Sequence, residues 1–299
     1  MTVDWSPDLL PPGRRAETVR RMMGGFAHPV WHCTLDGGEN VVIKASNEDR
    51  ADLFAAEAGG LDALSGIGGL TTPRVLAAGA RSIVLEALDP TLPDTDEFWR
   101  AAGHVVARMH SGTAHDRFGW DRDGWLGLLP QRNGWDRDGH RFFAEKRLLR
   151  YLDEPRVDDA LSARDRAGIE RLCHRLPDLV PDTGACLTHG DLWRNNVIAD
   201  HAGGPAFVDP AVSFTWAEVD LAHMLCSGGV PDSFFAAYGE IRELHPDWRR
   251  HARILNLRQL LAMLAAGIPI PTIVDSIREL VDTYAGAGGH AERPAARSR

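Results

Sequence analysis

The sequence predicts an α+β fold in two lobes, a small β-rich N-terminal lobe with one key helix and a larger, mostly helical C-terminal lobe. Three observations carry this. Residues 24–90 hold short β-rich runs, VVIKA (41–45) and SIVLEA (82–87), each bounded by turn residues. From residue 97 onward, apolar residues recur at three- and four-residue spacing, the signature of amphipathic helices. A single β-rich island, LTHGDLWRNNVIAD (187–200) with PAFVDP (205–210), interrupts the helical half.

Taken in order, residues 1–16 read as a loose tail and 17–88 as the β-rich lobe, with its helix at 48–64 between the two strand runs. A linker near 88–96 leads into the helical lobe, 89–284. Its clearest helices are EFWRAAGHVVARMH (97–110), RFFAEKRLLRYL (141–152) and WRRHARILNLRQLLAMLAAG (248–267). In the island, the turn HAGG (201–204) predicts a hairpin joining 196–199 to 205–208. Residues 285–299, rich in Gly, Ala and charge, read as a disordered tail. GWDRDG occurs twice, at 119–124 and 134–139, and reads as two turns with anchoring tryptophans. A calcium loop would need a bidentate Glu where Arg132 or Arg147 stands.

Composition narrows the function. The chain of 299 residues is 44% hydrophobic and 25% charged, ordinary for a globular protein, and its formal net charge is −9. Basic residues are scattered, so a nucleic-acid or anionic-membrane partner is disfavoured. The N-terminus lacks a basic-then-apolar run, and the apolar stretch at 260–270 is short and contains a proline. Four cysteines without CxxC spacing fit a reducing cytoplasm, with Cys33 expected as a buried, inert thiol.

The strongest chemical signal is His189-Gly190-Asp191 with Asn196 five residues after the aspartate. Phosphoryl transfer from ATP needs a carboxylate to orient and accept the proton of the attacking hydroxyl, and a nearby oxygen ligand for Mg2+. The pattern HxDxxxxN supplies both on one loop and resembles the catalytic loop of the protein-kinase superfamily. The hairpin would bring Asp209, of Asp209-Pro210-Ala211, beside Asn196 as the second metal ligand. Asp191 is the candidate catalytic base.

Upstream, Lys44 ends an apolar strand run, and Glu57 falls on the stripe of Leu53, Leu61 and Leu64 that should face the core. A carboxylate there needs a partner, and Lys44 supplies it; such a pair aims a cation at the α- and β-phosphates. Gly24 and Gly25 are candidates for a nucleotide flap, although no GxGxxG is present and Pro29 removes an amide donor. An ordinary glycine turn fits those residues as well. Glu86 and Leu88, after a strand and before the linker, would form the adenine hinge. Trp193 stands two residues after Asp191, where it would wall an acceptor pocket or simply pack the loop.

Several separated motifs are similar to the fructosamine kinase (ketoamine kinase) family, relatives of the aminoglycoside phosphotransferases. They are RFGWDRDGWLGLLPQRNGW (117–135), FFAEKRLL (142–149), HGDLWRNNV (189–197), VDPAV (208–212) and EVDLA (218–222), within a resemblance spanning roughly 17 to 284. The resemblance implies a two-lobed kinase-like fold, ATP and Mg2+ as cofactors, and a sugar-amine acceptor, free or protein-bound. Phosphorylating the hydroxyl next to the ketoamine carbonyl creates a leaving group, and loss of the adduct frees the amine, which is deglycation. The chain departs from the family after DPAV, at Ser213–Glu218, which makes Trp216 and Glu218 candidate acceptor contacts. A kinase for an aminoglycoside or amino sugar is the nearest rival, and a nucleotide-binding pseudokinase the rival of another class. A hydrolase metal centre would need more histidines than the hairpin offers. A monomer is expected.

Overall fold

The structure, a computed structural model, describes residues 4–22, 28–89 and 91–286. Five antiparallel strands form the N-terminal sheet: β1 (Ala16–Met22), β2 (Val30–Leu35), β3 (Asn40–Ala45), β4 (Val75–Ala78) and β5 (Ser82–Glu86), in the order β1-β2-β3-β5-β4. The helix α1 (Ala51–Gly66) lies between β3 and β4 in the chain. Strand alternation sorts the side chains onto two faces. Trp31, Cys33, Val41 and Ile43 form one apolar cluster, while Ile83 and Leu85 meet Leu53, Phe54 and Leu61 of α1 in another.

The segment expected as a loose tail closes the first cluster. A single turn at Pro7–Leu9 buries Leu9 and Leu10 beside Trp31 and Val41. Gly24 and Gly25 lie outside the described residues, as does most of the C-terminal tail.

The helical lobe begins with α2 (Asp96–Gly112), capped by Thr95, whose hydroxyl accepts from the amide of Phe98. The short strand β6 (Ala114–His115) and a hairpin, β7 (Gly124–Leu126) with β8 (Leu129–Gln131), follow. The stretch 141–152, read from the sequence as one helix, changes pitch twice. It runs as α3 (Gly139–Phe143), a wide π-type turn at Ala144–Leu148 and a tight turn at Leu149–Tyr151. The wide turn carries Arg147 inward, where its guanidinium donates to Oδ1 of Asn133 at 2.7 Å.

Then come α4 (Pro155–Ala160), α5 (Ala163–Leu179) with a Ser162–Asp165 capping box, and β9 (Ala185–Thr188). The hairpin β10 (Val197–Ala199) and β11 (Pro205–Phe207) forms where the sequence places it. β12 (Ser213–Thr215) pairs with β9, which also pairs with β6. The chain ends in α6 (Glu218–Cys226), α7 (Asp232–Ile241), α8 (Trp248–Leu255), α9 (Leu257–Ala266) and α10 (Ile273–Tyr284). The run 248–267 is thus two helices; Asn256, a poor helix former, stands at the break.

The two copies of GWDRDG touch. A Cβ on Gly119 would sit 2.0 Å from the carbonyl oxygen of Gly134, so only glycine permits this approach. The lobes also meet tightly: a Cβ on Gly60 of α1 would lie 2.9 Å from Pro210. No described helix is long and apolar enough to cross a membrane.

Candidate active site

β9 delivers His189, Gly190 and Asp191 to the cleft between the lobes. Their loop is fixed from below by Asp220 of α6, which accepts from the amides of His189 at 2.7 Å and Gly190 at 2.9 Å. Burial pushes Asp220 up, but hydrogen bonds from buried His110 and the Gly190 amide hold its carboxyl below the usual range. Burial lowers His189. The neutral ring donates from Nε2 to the carbonyl of Val208 at 2.9 Å and accepts the Asp191 amide on Nδ1 at 3.3 Å.

Gly190 has φ +80°, and a Cβ there would stand 2.0 Å from the carbonyl oxygen of Ala211. The Ala211 amide donates to the His189 carbonyl at 2.8 Å, so the loops 189–191 and 209–212 run in direct contact.

Burial raises Asp191 above the ordinary carboxylate range, against the opposing charge of Arg258. Its Oδ1 accepts from Nε2 of Gln259 at 2.9 Å, and Nδ1 of His223 lies 3.4 Å from the same oxygen. Burial and the charge of Arg258 press His223 down to about 3, so its ring is neutral. Trp193 stacks on that ring with centroids 6.1 Å apart.

Asn196 donates from Nδ2 to the Asp191 carbonyl at 2.8 Å and to Asp191 Oδ2 at 3.2 Å, which leaves Oδ1 as its acceptor atom. The β10–β11 ladder continues with the Val208 amide donating to the Asn196 carbonyl at 3.1 Å. Asn196 and Asp209 therefore stand at the same end of the hairpin, and Asp209 itself adopts φ +58°.

From the roof, Lys44 of β3 bonds Glu57 of α1 at 2.5 Å and also pairs directly with Asp209. Burial alone would lower Lys44, but the carboxylates of Asp209 and Glu57 hold its ammonium above the ordinary lysine range. Burial, helped by the Asp209 anion, raises Glu57 despite Lys44. Two carboxylates share one ammonium, so the group carries a surplus of carboxylate over ammonium.

These residues enclose a cavity of about 420 Å³ between the lobes. Its walls include Val30, Val42, Leu85, Glu86 and Leu88 above and Asp191, Trp193, Asn196 and Asp209 below. Glu86 also bonds Arg74 at 3.1 Å.

Two of the acceptor candidates lie elsewhere. Trp216 is fully buried among Phe118, His140 and Phe143, with Nε1 donating to Asp182 at 3.0 Å. Glu218 is buried at the start of α6 and accepts from the Thr183 hydroxyl at 2.9 Å. The cause is β12: pairing with β9 turns the chain after Val212 into the helical core.

Sequence reasoning missed Gln259, His223 and Arg258 as neighbours of Asp191. A signal existed for the pair on α9. Arg258 and Gln259 interrupt the apolar run of Leu255, Leu257, Leu261 and Ala262, on the face that is buried. Asp220 lies within EVDLA, but only the fold shows which amides it holds.

A profile of the fructosamine kinase family matches residues 9–266. A probable ketoamine kinase of Synechocystis sp. is 32% identical over 254 residues, 81% of this chain and 82% of its own. The crystal structure of a fructosamine-3-kinase candidate from Thermobifida fusca superposes with TM-score 0.79 at 30% identity, covering 90% of this chain and 95% of that one. A mutant aminoglycoside phosphotransferase solved with ADP and hygromycin B shares the fold, with TM-score 0.59 at 16% identity over 92% of this chain and 96% of that one. With a two-lobed kinase-like fold and a family profile across most of its length, the chain belongs to the fructosamine kinase family of ATP-dependent phosphotransferases.

Proposed function

We propose that this protein transfers the γ-phosphoryl group of Mg-ATP to a sugar hydroxyl of a ketoamine, with deglycation as the outcome. The observation that carries the reading is the meeting of Asp191, Asn196 and Asp209 at one end of the β10–β11 hairpin, facing the Lys44–Glu57 pair. Asp191 orients the acceptor hydroxyl and takes its proton; the Gln259 and Asn196 side chains fix the carboxylate for that task. Lys44, aimed by Glu57, meets the α- and β-phosphates, and Leu88 and the backbone near Glu86 flank the adenine.

The donor set fits a magnesium ion. Mg2+ is commonly held by one or two protein oxygens together with substrate phosphates, and the Asp209 carboxylate and Asn196 Oδ1 are such a pair. When bound, the ion would offset the negative charge of the phosphates. The surplus negative charge around Lys44 favours a cation on that side.

Trp193, stacked on neutral His223 beside Asp191, is the acceptor contact retained from the sequence. The departure at 213–218 falls in a buried strand and the core behind it, so it does not count against a ketoamine acceptor.

The test is ADP release from Mg-ATP with ribulose- and fructose-derived lysine adducts, free sugars and aminoglycosides. Turnover on a ketoamine should drop about 10²- to 10⁴-fold in Asp191→Asn. Turnover on an aminoglycoside alone, or ATP binding without any transfer, would refute the ketoamine assignment.

A further inference from the structure

Arg258 is a buried charge whose part in the chemistry above goes no further than its field at Asp191 and His223. It lies on α9, only 2% exposed, and forms no ion pair among the described residues. Removing a guanidinium from water costs several kcal/mol, on the order of magnitude typical of buried ions, unless its donors are met. Two arms are met. Nη1 donates to the carbonyl of Gly190 at 2.5 Å, and Nη2 donates to Oε1 of Gln131 at 2.7 Å. Nε is buried and meets no acceptor among the described residues.

Those two partners lead to the two loops of the site. Gly190 immediately precedes Asp191. Gln131, at the end of β8, passes the tie onward: its Nε2 donates to the carbonyl of Ala211 at 2.8 Å, two residues beyond Asp209. A planar fork fixes the spacing of both partners at once, which a single ammonium does not. The neighbouring Gln259 reaches Asp191 itself, so one turn of α9 addresses the loop twice.

We propose that Arg258 is a positioning residue for phosphoryl transfer, fastening the loop of Asp191 and, through Gln131, the loop of Asp209 into one frame. This deepens the kinase reading and rests on it. The competing role is general support of the helical lobe, which would act on the whole lobe rather than on two loops.

Hydrogen exchange of the full chain separates these roles, because the Gly190 amide is bonded to Asp220 of α6 and the Ala211 amide to the His189 carbonyl, so each reports on its own loop. Peptides covering 187–192 and 208–213 are followed in Arg258→Met, Arg258→Lys and Gln131→Leu, with steady-state kinetics on the same samples. In Arg258→Met, exchange in both loops should rise by about tenfold or more while α2 and α5 are unchanged. kcat should fall about 100-fold, the scale expected of a misplaced reacting group, with KM for ATP within about twofold. Arg258→Lys should regain less than about a tenth of the lost kcat, since it keeps the charge but not the fork. Gln131→Leu should loosen 208–213 more than 187–192, and it carries the test should Arg258→Met fail to fold. Unchanged exchange in both loops, exchange rising across the whole lobe, or full rescue by lysine would each overturn the proposal. If the wild type phosphorylates no ketoamine, the kinase reading falls separately, and the exchange data still decide whether Arg258 fastens the loops.

Discussion

At Asp191 the carboxylate is held by side chains from two places, Asn196 on its own loop and Gln259 on α9, with the neutral ring of His223 on α6 lying 3.4 Å away. Asn196 was legible because it lies five residues away, on a loop whose chemistry sets the spacing. Gln259 and His223 were not, since an amide and a neutral imidazole at long sequence separation follow no motif. His223 has a measurable consequence. Its pKa is about 3 against an ordinary 6.5, so between these values the unfolded chain binds a proton that the native chain does not. The stability it contributes is complete above about pH 6.5 and declines as the pH falls towards 3. Urea denaturation should show His223→Gln losing about 2 kcal/mol less than wild type between about pH 7 and pH 5. Buried His189 shifts in the same direction and adds to the slope.

Among elements, the β10–β11 hairpin was readable because strand, turn and strand are contiguous and the ladder places Asn196 near Asp209 without help from elsewhere. β12 was not, for the opposite reason. Its three residues say nothing of their partner, and pairing with β9 sends Trp216 into the core instead of the cleft. The helix α1 was placed correctly by its apolar stripe, yet its closest neighbour was invisible. Trp125, on the β7–β8 hairpin, joins the cluster of Leu53 and Phe54, with the Arg50 guanidinium 4.6 Å over its ring. On the same helix, Gly60 abuts Pro210. Gly60→Val should push α1 away from the Asp209 loop and spoil the aim of Glu57. ADP release should fall about tenfold or more while far-UV circular dichroism is retained.

For the whole molecule, the division into a sheet lobe and a helical lobe followed from the change in hydrophobic period near residue 90, a property of every residue in each half. The edges of the lobes were harder. Pro7–Leu10 looked like a tail because proline and charge surround two leucines, and only the sheet's uncovered face shows why those leucines are needed. Leu9 is 1% exposed, so Leu9→Ala should cost about 2–5 kcal/mol, read as a lower urea midpoint with little change in KM for ATP.

The contact between Gly60 and Pro210 also ties the position of α1 to that of the Asp209 loop. With no space for even a methyl group between them, neither can move toward the other, and beside the same contact Lys44 pairs with both Glu57 of α1 and Asp209. On the kinase reading, the charged group that would meet the phosphates is therefore braced before nucleotide arrives rather than gathered by it.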